Sequence, residues 1–435
     1  MPPAQGRPPR SPKVALVLAG GAARGAYEVG VAQHLVEDVA AELGRELPLD
    51  ILCGTSVGAF NVCGLAAFAD EPRARGARLA EVWAKLRVDD LIRVDAQGIL
   101  AVGRDLLRSS VAGRPVVESA LLDSKGIERM LAEHIPFPRI DEHLRSGRLD
   151  ALTVSTTHVR SGRTIVFVHR AAPGLPPWSH DPTITPRASA IRVEHAMASA
   201  AIPVLFKPVR IDGEYHCDGG LRQNVPLSPA RRLGADGVIV VNPRYIHGEA
   251  PVDDGGGAPK PPAAVDDAEA GDGFPGPLFL LGKTLNALLL DRIDTDLARL
   301  QGINGILEAG ERAYGPGFVD ALNRELGFPP GRAMRPLRAS LIRASEDIGK
   351  MCADFVRSAV FRSRVSGALG RIMRRLAEGD ERKEADLLSY LLFDGEFAKQ
   401  LIELGRNDAR ARHEELCTFF DAVLRGGPID PPSTR

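Results

Sequence analysis

The chain has 435 residues, more than one hydrophobic core usually serves, so two units, or one domain with a large appendage, are expected. Hydrophobic residues at 44% and charged residues at 26% exclude a disordered or fibrous protein. A formal charge of -1 leaves no global attraction for polyanions, so no nucleic-acid partner is expected.

Met1 to Pro12, rich in proline and arginine, reads as a disordered tail. Its basic residues followed by Val14 to Ala19 superficially resemble a short signal peptide. That apolar run is too short for one, and cleavage there would remove a glycine loop that the chemistry needs. Val14 to Ala19 has strand length and leads through glycines into a helical segment from Ala26 to Gly44. Leu49 to Cys53 repeats the arrangement, with a glycine turn and a small-residue helix from Val57 to Ala69. Successive β-turn-α units predict a mostly parallel sheet covered by helices on both faces.

Ala151 to Ser155 and Thr164 to Val168 read as strands joined across Arg160-Ser161-Gly162. Phe206 to Ile211 and Glu214 to Cys217 flank Asp212-Gly213, a two-residue hairpin signal. Val238 to Asn242 is a further buried strand. From His247 to Pro277 the composition shifts to Gly, Pro, Ala and Asp, which reads as a linker or mobile loop. From Leu278 onward apolar residues recur at helical spacing with almost no strand signal, predicting a helical region. The expected organisation is a tail at 1–12, a catalytic domain at 13–245, a linker at 246–277, a helical region at 278–425 and a tail at 426–435.

The cysteines, five in number and widely spread, form no C-x-x-C pair, which favours a reduced, cytoplasmic protein. No run approaches the roughly 20 apolar residues of a spanning helix.

Gly54-Thr55-Ser56-Val57-Gly58 follows a predicted strand and opens a predicted helix, the context that gives G-x-S-x-G its meaning. Its flanking glycines, Gly54 and Gly58, permit a sharp turn that exposes the Ser56 hydroxyl. The loop Gly20-Gly21-Ala22-Ala23-Arg24-Gly25 ends the first strand ahead of a helix, so its backbone N–H groups can converge on an anion. A phosphate loop would require Lys followed by Ser or Thr, yet Arg24 is followed by Gly25. A serine needs a base, and Asp218-Gly219-Gly220 directly follows a strand that can hold a carboxylate rigidly. Asp254 opens a second Asp-Gly-Gly in the linker. His216 shares a strand face with Asp218, and His158 and His195 are further histidines, so a Ser-His-Asp arrangement stays open at this point.

The ordered set of Gly20 to Gly25, Gly54 to Gly58, Ala198-Ser199-Ala200-Ala201-Ile202-Pro203 and Asp218-Gly219-Gly220 resembles the patatin-like phospholipases. The resemblance covers Val14 to Arg244. It implies a three-layer α/β/α fold and hydrolysis of acyl esters in phospholipids or related lipids. It further implies a Ser56-Asp218 dyad without histidine and an oxyanion hole from Gly20, Gly21 and Ala22, with Arg24 shaping that loop. Ala22 stands where the family often has a third glycine and would be strained at positive φ. Ala198 to Ile202 reads as a close-packing helix end. Neither a metal-ligand spacing nor a calcium loop is apparent, so no cofactor and no metal are expected.

In the helical region, Val356, Val360, Phe361, Val365, Leu369, Ile372, Met373 and Leu376 accompany Arg357, Arg362, Arg364, Arg371, Arg374 and Arg375. The preferred reading is a core-packing helix with a solvated basic face. The alternative is a peripheral contact with an anionic lipid surface. An acyltransferase with the same serine elbow, and a catalytically silent, membrane-associated regulatory module, are the competing functions. Headgroup, acyl preference and oligomeric state depend on shape rather than motif.

Overall fold

The computed structural model describes residues 12–91, 93–94, 122–176, 178, 183–203, 205–245, 293–328, 333–365, 367–378 and 384–425. The whole of the expected linker at 246–277, Asp254 included, lies outside these residues.

Among the described residues nine strands form one sheet: β1 (Val14–Leu18), β2 (Leu49–Thr55), β5 (Ala151–His158), β6 (Thr164–His169), β7 (Ile184–Ala188), β8 (Val209–Ile211), β9 (Glu214–Asp218), β10 (Gly237–Asn242) and β11 (Arg338–Arg343). Two residues each from β3 (Arg93–Val94) and β4 (Leu122–Asp123) make a separate small ribbon. The main path runs β11-β10-β1-β2-β5-β6-β7, and its first five strands are mutually parallel. Side chains alternate across a strand, so β1 sends Leu16 and Leu18 into one core and Ala15 and Val17 into another. Helices cover both faces, giving the three-layer α/β/α architecture with further helices toward the C-terminus.

The region expected to be helical also contains a strand. β11 extends the sheet in parallel beside β10, with Ser340 and Ile342 turned inward. Six residues with arginine at both ends carry a weak strand signal. Their pairing with a strand about a hundred residues earlier is what commits them. The edge strand β7, which pairs with β6, was likewise not evident from pattern. Helix Gly395–Ala411 packs on helix Gly25–His34, where the Tyr27 hydroxyl donates to Asp408 at 2.9 Å.

In the arginine-rich segment Val356, Phe361, Val365 and Met373 are buried in the core and Val360 is exposed. The side chains of Leu369, Ile372 and Leu376 lie outside the described set. Arg364 pairs with buried Asp394 at 2.9 Å, while Arg371 and Arg375 face solvent. The described apolar side, Val360 apart, therefore faces protein, which is the core-packing arrangement. No helix among the described residues is long and apolar enough to cross a membrane.

Candidate active site

The site follows from how three strands share β5. One edge of β5 is taken by β6 over Leu152 to Thr157, leaving the other for β2 and β9. β2 runs parallel to β5 and ends with Thr55 opposite Ser155. β9 runs antiparallel and ends with Asp218 opposite Thr156. The two strands therefore meet head-on along one edge, and the residue after Thr55 is brought against Asp218.

That residue is Ser56, at φ 54 and ψ -125, a conformation that costs an L-residue of order 1–3 kcal/mol and is held by its surroundings. The helix Val57–Ala67 starts immediately after it, so the positive end of the helix dipole lies at the serine. The turn is tight because Gly54 and Gly58 touch: a Cβ on Gly54 would lie 2.4 Å from the Gly58 carbonyl oxygen.

Ser56 Oγ donates to Asp218 Oδ2 at 2.7 Å, and the Gly220 N–H donates to Oδ1 at 2.6 Å. The Asp218 main chain is fixed on both sides, its N–H donating to the Ala201 carbonyl and its carbonyl accepting from Thr157 Oγ1. Asp218 is fully buried, and this desolvation pushes its pKa up to about 7 against the opposing hydrogen bonds from Ser56 and Gly220. Such a carboxylate can take and return a proton near neutrality.

None of the three histidines hydrogen-bonds to Ser56 or Asp218. His216 Nδ1 lies 3.0 Å from Thr156 Oγ1, His195 contacts Ser189 and the Arg192 N–H, and His158 contacts Ser161. Burial lowers both His216 and His195 to about 4, so both are neutral.

The glycine loop lies against the elbow. A Cβ on Gly20 would come 3.1 Å from Ser56 Cβ and 2.1 Å from Asn224 Oδ1, so a side chain there would force the Asn224 amide to move. The expectation that Gly20 supplies an oxyanion donor needs correction, because its N–H donates to the Asn224 carbonyl at 3.1 Å. The N–H groups of Gly21 and Ala22 donate to no described residue. Ala22 has φ 48, the strained region anticipated for alanine at this place. Arg24 is buried, donates from Nε to Ser389 Oγ at 2.8 Å and stacks 4.1 Å over the Tyr390 ring. It ties the loop to helix Glu384–Leu391 of the C-terminal region.

Sequence reasoning missed Ser199. Its Oγ accepts from the Ser56 N–H at 2.8 Å and donates to the Ser155 carbonyl at 2.6 Å. The hydroxyl within an otherwise apolar small-residue run was the available signal. A cavity opens at Ser56 and is walled largely by apolar side chains such as Phe60, Met197, Ile202, Phe206 and Leu391, with exposed Lys207 also on its lining. Its apolar walls around one hydroxyl have the character of an organic-ligand site.

The patatin-like phospholipase family profile matches residues 16–231, which include Ser56, Asp218 and all four motifs. Uncharacterised NTE family proteins of Mycobacterium bovis and Mycobacterium tuberculosis are 29% identical over 237 residues, covering 53% of this chain and 49% of theirs. The chain thus spans about half the length of these curated relatives. The crystal structure of VipD from Legionella pneumophila overlaps 89% of this chain and 92% of its own at 13% identity, with a TM-score of 0.28. Residues 16–231 therefore form a patatin-like phospholipase domain.

Proposed function

We propose that the chain is a serine lipid acyl hydrolase in which Ser56 is the nucleophile and Asp218 the general base. The observation that carries this reading is the 2.7 Å hydrogen bond between a strained, helix-capping serine and a buried carboxylate beside an apolar cavity.

As Ser56 Oγ attacks the ester carbonyl carbon, its proton passes to Asp218. The carbonyl oxygen takes up the negative charge. The N–H groups of Gly21 and Ala22, with the N-terminus of helix Val57–Ala67, are its proposed stabilisers, each such donor contributing about 3 kcal/mol in comparable sites. The intermediate collapses, the C–O bond to the alcohol breaks, and Asp218 returns the proton to that oxygen. The product is an acyl-enzyme on Ser56. Water then attacks it, Asp218 again accepts a proton, and release of the fatty acid restores the hydroxyl. The sequence of steps needs no cofactor. The same acyl-enzyme would serve an acyltransferase, which differs only in the acceptor.

Long-chain esters are scarce as monomers in water, so a peripheral contact with lipid is part of this reading. Exposed Arg371 and Arg375 are the part of the basic segment open to it. Incubating a mixed lipid extract with wild-type and Ser56→Ala protein tests the proposal. Fatty acid and lysolipid should accumulate with the wild type alone. Equal products from both would refute it.

A further inference from the structure

A second apolar cavity adjoins the one at Ser56, with Leu79, Trp83, Leu86 and Met130 on its wall. Phe60 and Phe393 line both cavities. The polar groups at the second wall are already engaged: Trp83 Nε1 donates to Asn61 Oδ1 at 2.9 Å, and Asn61 Nδ2 donates to Glu28 at 2.8 Å. What the cavity offers a ligand is therefore hydrocarbon.

The two phenylalanines are held differently. Phe60 sits in the first turn of helix Val57–Ala67, whose start is the Ser56 elbow, so its position is bound to that of the nucleophile. Phe393 lies outside the family match, in the short turn between helices Glu384–Leu391 and Gly395–Ala411. Its ring stacks on Trp83 with centroids 6.1 Å apart. The turn is pinned by the Gly395 N–H on the Leu86 carbonyl at 2.8 Å and by Arg364 on Asp394.

We infer that Phe393 is a specificity-determining end-stop that limits acyl-chain length, and that the second cavity is an extension of the acyl pocket from which its ring separates it. The inference rests on the reading of the first cavity as the acyl site. Removing the Phe393 ring would join the two apolar spaces. Chain-length selection then belongs to the C-terminal region rather than to the family domain.

The test compares kcat/KM of the full chain for p-nitrophenyl esters from acetate to stearate. Trimming Phe393→Ala, with Phe393→Leu as a milder second variant, should move the optimum to longer chains. The ratio of long- to short-chain kcat/KM should rise about fourfold for each methylene newly buried. Adding Met130→Phe to Phe393→Ala refills the second cavity and should return the optimum toward that of the wild type. An unchanged ratio in both trimmed variants, or no reversal by Met130→Phe, overturns the end-stop while leaving the hydrolase reading intact. Absence of turnover on every ester in the wild type would instead strike at the hydrolase reading. A readout without turnover separates the two. In Ser56→Ala, Trp178→Phe protein, a fatty acid spin-labelled near its terminal methyl should quench Trp83 fluorescence strongly only when Phe393 is trimmed. Equal quenching with and without Phe393 also overturns the proposal.

Discussion

Ser199 Oγ accepts the backbone N–H of Ser56 at 2.8 Å while donating to the Ser155 carbonyl at 2.6 Å, so one hydroxyl links Ser56 to the strand beside it. Ser199→Ala would leave a buried N–H and a buried carbonyl without that partner, at about 1–3 kcal/mol. Because the unpaired N–H belongs to the elbow, kcat should fall about tenfold or more with KM little changed. Steady-state kinetics alongside a thermal melt check this. A variant that loses stability but keeps full kcat would mean that Ser199 only packs.

The dyad makes a sharper demand. Ser56→Ala should abolish ester hydrolysis and labelling by a serine-directed phosphonate, and Asp218→Asn should be nearly inactive, both remaining folded. His216→Ala should be less stable, since it removes the buried partner of Thr156, yet keep substantial turnover per folded molecule. If His216→Ala were as inactive as Ser56→Ala while still folded, the base assignment would have to change.

Asp218 also sets a pH dependence. With its pKa raised by burial to about 7, kcat/KM should rise with pH through that value as the carboxylate ionises. The stability effect has the opposite direction. The folded state binds this proton more tightly than the unfolded state, so the contribution is full below about pH 4 and is lost as pH rises through about 7. Asp218→Asn should remove that loss. Melting temperatures of both proteins between these limits measure it, and parallel curves would contradict the raised pKa.

Ala22 at φ 48 is strained where glycine would not be. Ala22→Gly should stabilise the protein by about 1 kcal/mol, the left-handed penalty outweighing the added freedom of the unfolded glycine. Its N–H remains, so activity should persist. Urea unfolding midpoints decide the point. A destabilised Ala22→Gly would show that the Ala22 methyl group contributes more by packing than its backbone costs.

Much of this protein was legible from local pattern. The runs at Val14 and Leu49, each with a glycine turn and a helix behind it, declare parallel β-turn-α units because strand and helix periodicities are properties of neighbouring residues. Asp212-Gly213 does form the hairpin turn, with φ 48 and 86. What the sequence alone did not decide involves contacts far apart along the chain. Gly20 had the composition of an oxyanion donor, but Asn224, 204 residues on, takes its N–H. Ser199 acts on a serine 143 residues earlier. Residues Arg338 to Arg343 become a strand because β10 offers them an edge, and Phe393 reaches the cavity only because its turn is pinned to Leu86 and Asp394. Ser56 and Asp218 themselves were named from motifs, yet their meeting depends on β2 and β9 sharing one edge of β5 from opposite directions. That register is set by which faces the whole sheet must bury, a condition no single segment carries.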